Sequence, residues 1–294
     1  MKLRKLTYSE IDFDKYTACL RSSEQYITYA EKEYLDSVST LWEVVVWEDY
    51  RAIMPIPFVM KMGFKIVIMP MLCQQLGVFS NTDEVEINEA FLSFLNKEYY
   101  LLNYNFNVQN RFKTKLILRP NFVINKNDYQ EVLKNYRKSR KQAMRNKARG
   151  RLILKTEFLE QEYSQFLFKN IKGAKHKKKN KLWNIIQNLV QKGYYLPYAF
   201  YMEEKLQTLL FVLKGERSVY QILQINTKGL RHKNNPAFAV DTVIQQFICE
   251  KNFDFEGSAI PSVSNFNRSF GATEYFYPVI LNSKIKLIKS LFFK

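Results

Sequence analysis

The segment Phe253-Asp254-Phe255-Glu256-Gly257-Ser258 holds the residues best suited to chemistry. Alternate side chains of a strand share a face, so Asp254 and Glu256 are expected to point one way and the two phenylalanines the other. An internal parallel strand is apolar on both faces, which makes two carboxylates there anomalous. Burial beside a second acid raises a carboxyl pKa, and a raised pKa suits a general base that takes a proton from an attacking amine. Gly257 and Ser258 follow at the C-terminal end of the strand, where ligands bind in open α/β sheets. Asp254, Glu256 and Ser258 are therefore the candidate catalytic residues. The structural alternatives are a hydrogen bond between Asp254 and the following loop, and an ion pair between Glu256 and Arg268. Arg268, three residues after Asn265 on a short predicted helix, can instead offer its fork to a phosphate or carboxylate.

Charge points to anionic partners. The chain of 294 residues has a net charge of +17. Residues 1–120 carry −1, residues 121–214 carry +14 and residues 215–294 carry +4. One basic cluster reads as a helix from about Asp128 to Arg149, stopped by Gly150. On it Arg137, Lys141, Arg145 and Arg149 recur every four residues and form a cationic stripe. It is either a solvated face or a surface for phosphates of tRNA, of a nucleotide-linked substrate or of lipid headgroups. The second cluster, Lys175 to Lys181, follows Gly173 and reads as a basic loop, mobile or phosphate-gripping.

Other chemistries find little support. His176 and His232 are the only histidines, far apart and without a Ser or Cys partner, which argues against a His-based triad or a multi-His metal site. Cys19, Cys73 and Cys249 are odd in number and widely spaced, so neither a disulfide framework nor a zinc site is indicated. No metal is expected. The apolar runs are far shorter than a bilayer span, and the N-terminus lacks the apolar core of a secretory signal. A cytoplasmic protein is the plain reading. The tail from Ile285 to Lys294 is basic and apolar at helical spacing, so it either packs on its own domain or touches the inner face of a membrane.

The elements that must position these residues repeat. Strand-like runs at 41–47, 52–59 and 65–69 lead through a loop to a helix starting near Thr82-Asp83, then to strand-like segments at 99–105 and 112–119. Pro55 and Pro57 mark an edge or bulge. After a strand at 152–158 and helices near 160–171 and 178–192, a meander at 194–203, 205–214 and 217–227 leads to a helix capped by Asn235 with Pro236 first. The segment at 253–258, a short helix at 263–270 and a strand at 275–281 close the chain. In each half a meander feeds a helix and then another strand, the pattern of an α/β domain with a mixed sheet, made twice. The expected division is 1–125, a basic connecting helix over 126–150, and 151–294.

Several of these pieces, in this order, resemble the Fem-type group of the GNAT acyltransferase superfamily. They are Trp42-Glu43-Val44-Val45-Val46, Pro55, Pro70, Gln74-Gln75-Leu76-Gly77-Val78-Phe79, the helix from Tyr136 to Gly150, Phe253 to Pro261, and Asn265 to Ala272. The resemblance covers roughly residues 20–280. It implies two tandem GNAT-like domains of mixed α/β sheet and transfer of an acyl group to an amine. The donor is aminoacyl-tRNA or acyl-CoA, with no permanently bound cofactor, and the acceptor is an amine-bearing cell-wall or polysaccharide precursor, nucleotide- or lipid-linked. It places Gln74 and Gln75 among substrate-binding residues. Where acetyl-CoA enzymes carry a Gly-rich turn before the central helix, this chain has Gly229 to Pro236. That stretch supplies Arg231, Lys233 and a capped helix N-terminus at Asn235 for an anion, but no Gly-x-Gly. CoA held in the usual manner fits it less well, which favours aminoacyl-tRNA. An acyl-CoA-dependent N-acetyltransferase and a non-catalytic tRNA- or nucleic-acid-binding protein are the competing readings.

Overall fold

The computed structural model describes residues 2–82, 84–145, 152–171, 175–228, 234–283, 285 and 287. The chain forms two compact units, Met1–Pro120 with Tyr275–Lys294, and Asn121–Glu274. These differ from the division read from the sequence. The segment 126–145 belongs to the second unit. The closing strand joins the first, because Val279, Ile280 and Leu281 pair with Asn105, Tyr104 and Asn103.

The first unit contains β1 (Leu3–Leu6), α1 (Phe13–Ser22), α2 (Lys32–Val38), β2 (Leu41–Trp47), β3 (Ala52–Lys61), β4 (Phe64–Val67), β5 (Phe79–Ser80), α3 (Val85–Glu98), β6 (Tyr100–Leu101) and β7 (Asn103–Asn105). Strands β2, β3 and β4 form an antiparallel meander, and β6 returns parallel to β4 after α3. The Met62-Gly63 turn has both residues at positive φ, the geometry that matches the twist of a tight hairpin. The sequence leaves β1, α1 and α2 unannounced, and α3 begins at Val85 without a side-chain cap rather than at Thr82. Pro55 and Pro57 lie inside the sheet rather than at its edge. One side of β3 pairs with β2 over Ala52–Phe58, while on the other β5 covers Ala52–Ile53 and β4 covers Phe58–Lys61. The prolines occupy the gap between them, where no neighbouring strand asks for their missing N–H. There the Tyr104 hydroxyl donates to the Pro55 carbonyl at 2.9 Å.

The second unit begins within β8 (Ile117–Ile124), continues with α4 (Tyr129–Asn135), α5 (Lys138–Met144), β9 (Ile153–Lys155), α6 (Glu160–Asn170), α7 (His176–Gln191), β10 (Tyr195–Met202), β11 (Lys205–Lys214), β12 (Ser218–Asn226), α8 (Asn235–Phe247), β13 (Asn252–Asp254) and α9 (Pro261–Arg268), and leads into β14 (Thr273–Leu281). The sheet order is β8-β13-β12-β11-β10-β9. Strands β10, β11 and β12 are the expected meander, and after α8 strand β13 returns parallel to β12. Each unit thus uses the same order: meander, helix, parallel strand. The core of this unit packs Val240, Val243, Ile244 and Phe247 of α8 against Phe122, Tyr198, Leu210, Val212 and Phe253 of the sheet. Deleting one such buried aliphatic side chain to Ala costs about 2–5 kcal/mol.

The basic helix expected over 128–149 is broken. Tyr136 and Arg137 are extended, with ψ of 140° and 150°, so α4 ends at Asn135 and α5 starts at Lys138. The break is held from outside the helices: Arg137 N–H donates to the Ser269 carbonyl at 3.0 Å, and the Tyr136 hydroxyl donates to Asp241 at 2.8 Å. The Gly150 stop and Arg149 lie outside the described residues.

Candidate active site

Strands β12 and β13 pair only over Ser218↔Asn252, Val219↔Phe253 and Tyr220↔Asp254, although β12 continues to Asn226. The chain leaves β13 after Asp254 by turning, and Glu256 takes a left-handed φ of 63°. Among the described residues, the β13-facing edge of Gln221–Asn226 is therefore without a strand partner, and two parallel strands part at their C-terminal ends. This is where a ligand is received in open α/β sheets.

Asp254 is buried at the mouth of this opening. Its Oδ1 accepts from Glu256 N–H at 2.7 Å and its Oδ2 from Asn121 Nδ2 at 3.0 Å. Burial raises its pKa to about 6, and those two donors hold it below where burial alone would put it. The loop hydrogen bond offered by the sequence as the structural role of Asp254 is present. Glu256 is half-buried as a residue, yet its Oε1 is inaccessible and has no hydrogen-bond partner. Burial pushes its pKa up to about 8. The two acids do not share a strand face as expected, because Glu256 lies beyond the strand and its backbone is bonded to the Asp254 side chain.

A polar chain runs from β12 to the start of α8. Opposite β11, Val212 pairs with Gln221 and Phe211 with Leu223, so Ile222 is the extra residue of a β-bulge. The bulge resets the alternation, and Gln221 and Gln224 meet: Gln221 Nε2 donates to Gln224 Oε1 at 3.2 Å. Gln224 Nε2 then donates to the Pro236 carbonyl in the first turn of α8 at 2.9 Å. Next to it Asn235 is fully buried, and neither its Oδ1 nor its Nδ2 has a partner. Asn235 is not the cap expected from the sequence. Asn234 takes that position with φ of 57°, and Asn235 is the first residue of the helix. Gln221 Oε1 and Asn121 Oδ1 are also buried without partners. An orphaned buried polar atom costs about 1–3 kcal/mol, and Asn121, Gln221, Asn235 and Glu256 together carry five of them, each open to a ligand or to water.

The other residues singled out by the sequence fall elsewhere. The Arg268 fork is taken by Glu274, with contacts of 2.7 and 2.9 Å from Nη2, rather than by Glu256 or an open anion site. Ser258 Oγ accepts from Ile260 N–H at 3.1 Å and its carbonyl accepts from Ser264 Oγ at 2.6 Å, so it shapes the entry to α9. Arg231 and Lys233 lie outside the described residues. In the first unit, Gln75 is buried and its Oε1 accepts from Val108 N–H at 3.1 Å, while the Gln74 carbonyl accepts from Asn105 Nδ2 at 2.7 Å. Both brace loops there. Arg137, Lys141 and Arg145 lie on or beside α5; Lys141 Nζ donates to the Lys134 carbonyl at 2.6 Å. Asn121, Gln221 and Gln224 escaped sequence reasoning. Two glutamines within an otherwise apolar strand were the available signal. Buried Cys19 has its thiol pushed up to about 12, which disfavours a thiolate. No metal-holding cluster occurs among the described residues.

No family model matches the sequence, and no curated protein is detectably similar to it in sequence. Solved structures are similar in fold. FemX aligns over 99% of this chain and 100% of its own, with a TM-score of 0.67 and 9% identity. A tandem GNAT protein from the clavulanic acid biosynthesis pathway covers 95% and 98%, at 0.57 and 10%. The fold is that of the Fem-type, tandem GNAT-like proteins. L-PGS from Bacillus licheniformis also aligns, over 94% of each chain, at 0.51 and 10%.

Proposed function

We propose that this protein is an N-acyltransferase whose donor enters the opening between β12 and β13. The observation that carries the reading is the Glu256 carboxyl, raised to about 8 and without a partner for Oε1, at the C-terminal end of β13. A group titrating near neutral pH and left unpaired in a ligand site is suited to proton transfer. The acceptor amine attacks the acyl carbonyl, and Glu256, directly or through one water, takes the proton the nitrogen must lose. The new C–N bond forms as the donor C–S or C–O bond breaks, and the leaving thiolate or alkoxide recovers a proton. Backbone N–H groups along the unpaired edge of β12 are available to the oxyanion. Gln221, Gln224 and Asn235 supply hydrogen bonds that hold the donor.

Two donors fit this chemistry, an acyl-CoA and an aminoacyl-tRNA. The tandem GNAT likeness supports the first, and the basic second unit together with the FemX likeness supports the second. The acceptor is an amine on a cell-wall or polysaccharide precursor, nucleotide- or lipid-linked. Offering each donor with a panel of amines, and reading N-acyl products by mass spectrometry, tests the reading. Product with one donor, lost about 10²–10⁴-fold in Glu256→Gln, supports it. Product formed equally well by Glu256→Gln removes that carboxylate from the mechanism. Absence of product and of donor cleavage with both donors contradicts acyl transfer.

A further inference from the structure

The elbow between α4 and α5 forms a half-open cleft of about 340 Å³, lined by Tyr129, Gln130, Leu133, Lys134, Lys141, Met144 and Arg145. Its composition is divided. Tyr129, Leu133 and Met144 give apolar walls that pack against the core of the second unit. Lys134, Lys141 and Arg145 surround them with positive charge. The volume is at the small end of the range for small-ligand sites, about 300–1,000 Å³. The walls are pre-formed: the Tyr129 hydroxyl donates to both oxygens of buried Asp241 at 3.0 Å, and the Tyr136 hydroxyl to one of them at 2.8 Å. These bonds anchor α4 to α8 and fix the ring that forms one wall.

The cations are incompletely satisfied. Lys134 pairs with Glu131 at 2.6 Å in an exposed i,i+3 contact of the kind worth about 0.2–1 kcal/mol, which a tighter anion can displace. Lys141 uses one of its three donors on the Lys134 carbonyl. Arg145 is exposed and forms no ion pair among the described residues. A flat apolar ring carrying phosphate matches this arrangement, since the ring can lie against Tyr129, Leu133 and Met144 while phosphate oxygens meet Lys141 and Arg145. Gln130 adds an amide able to read a base edge.

We propose that this elbow is a binding site for a purine nucleotide bearing at least one phosphate. It stands on residues distinct from the carboxylates and glutamines of the acyl-transfer reading, so either can fail without the other. Two sources carry that chemistry, the nucleotide end of a CoA and the 3′-terminal adenosine of an RNA.

The test is equilibrium binding of N-methylanthraniloyl-ADP to the full chain, followed by fluorescence at 50 and 150 mM salt. Saturable binding is expected, weakened about tenfold by Arg145→Glu, the loss of one charge-assisted contact. Lys141→Gln should weaken it in the same direction. Lys177→Glu, on the separate basic turn at the start of α7, should change it less than about twofold. Arg145 and Lys177 are exposed, so these variants keep the fold, which circular dichroism checks. Displacement of the probe by CoA assigns the CoA source, displacement by a short RNA ending in CCA assigns the RNA source, and displacement by neither leaves a free nucleotide as the ligand. No saturable binding would overturn the proposal. So would equal weakening by Arg145→Glu and Lys177→Glu, which would show attraction to bulk charge rather than a site.

Discussion

A carboxyl raised to about 8 affects stability as well as catalysis, and the two effects can be measured separately. Glu256 binds its proton more tightly folded than unfolded, where its pKa is near the ordinary 4.5. The stability it contributes is therefore complete below about pH 4.5 and is lost as pH rises through about 8. Glutamine mimics the protonated acid without titrating. Glu256→Gln should thus match the wild type in thermal stability near pH 4.5 and exceed it at pH 9, as read by differential scanning calorimetry. Equal stability at both pH values would place Glu256 in solvent. In the acyl-transfer reading the ionised form is the base, so turnover rises with pH and levels off above about 8. Asp254 differs from it in kind. It is bonded to Asn121 and to the backbone of Glu256, and serves to position the turn that presents Glu256.

The elements show which features a sequence discloses. The meander, its tight turns and the helix after it were legible because strand periodicity and turn residues are local. The break between α4 and α5 was not, since nothing in Asn135-Tyr136-Arg137-Lys138 forbids a helix. Distant groups impose it, Asp241 on Tyr136 and Ser269 on Arg137. Removing the Tyr136 hydroxyl by Tyr136→Phe should cost about 1–3 kcal/mol in urea unfolding, the penalty for taking a donor from a buried carboxyl. The Arg140 guanidinium reinforces the break, stacked on Phe266 and Phe270 at 4.8 and 4.5 Å and donating to Ser269 Oγ. The same reasoning explains the candidate site. Asp254 and Glu256 stood out as acids in an apolar run, but the bulge that joins Gln221 to Gln224 is a property of strand pairing. Gly77 in the first unit is a third case. Its φ is +124°, and a Cβ there would come within 2.2 Å of Asn110 Oδ1, which accepts from Val78 N–H at 2.9 Å. Gly77→Ala should destabilise the protein by about 2 kcal/mol or more in the same assay.

At the scale of the molecule, the chain keeps the tandem fold of FemX while sharing 9% of its residues. What two such distant sequences have in common is the fold. No helix of the described residues is long and apolar enough to cross a membrane. The positive charge is concentrated after residue 120, so binding of any polyanion should weaken steeply with salt. Recognition of an acyl group, by contrast, should survive as a ratio at every salt concentration, because both members of a donor pair carry the same phosphates. The most direct measurement is therefore equilibrium binding of two matched pairs across a salt series: aminoacyl-tRNA against the same tRNA deacylated, and acetyl-CoA against CoA. Tighter binding of the acylated member of one pair, with a ratio constant in salt, is the predicted result and names the donor. Equal affinity within both pairs would contradict an acyl-reading site between β12 and β13.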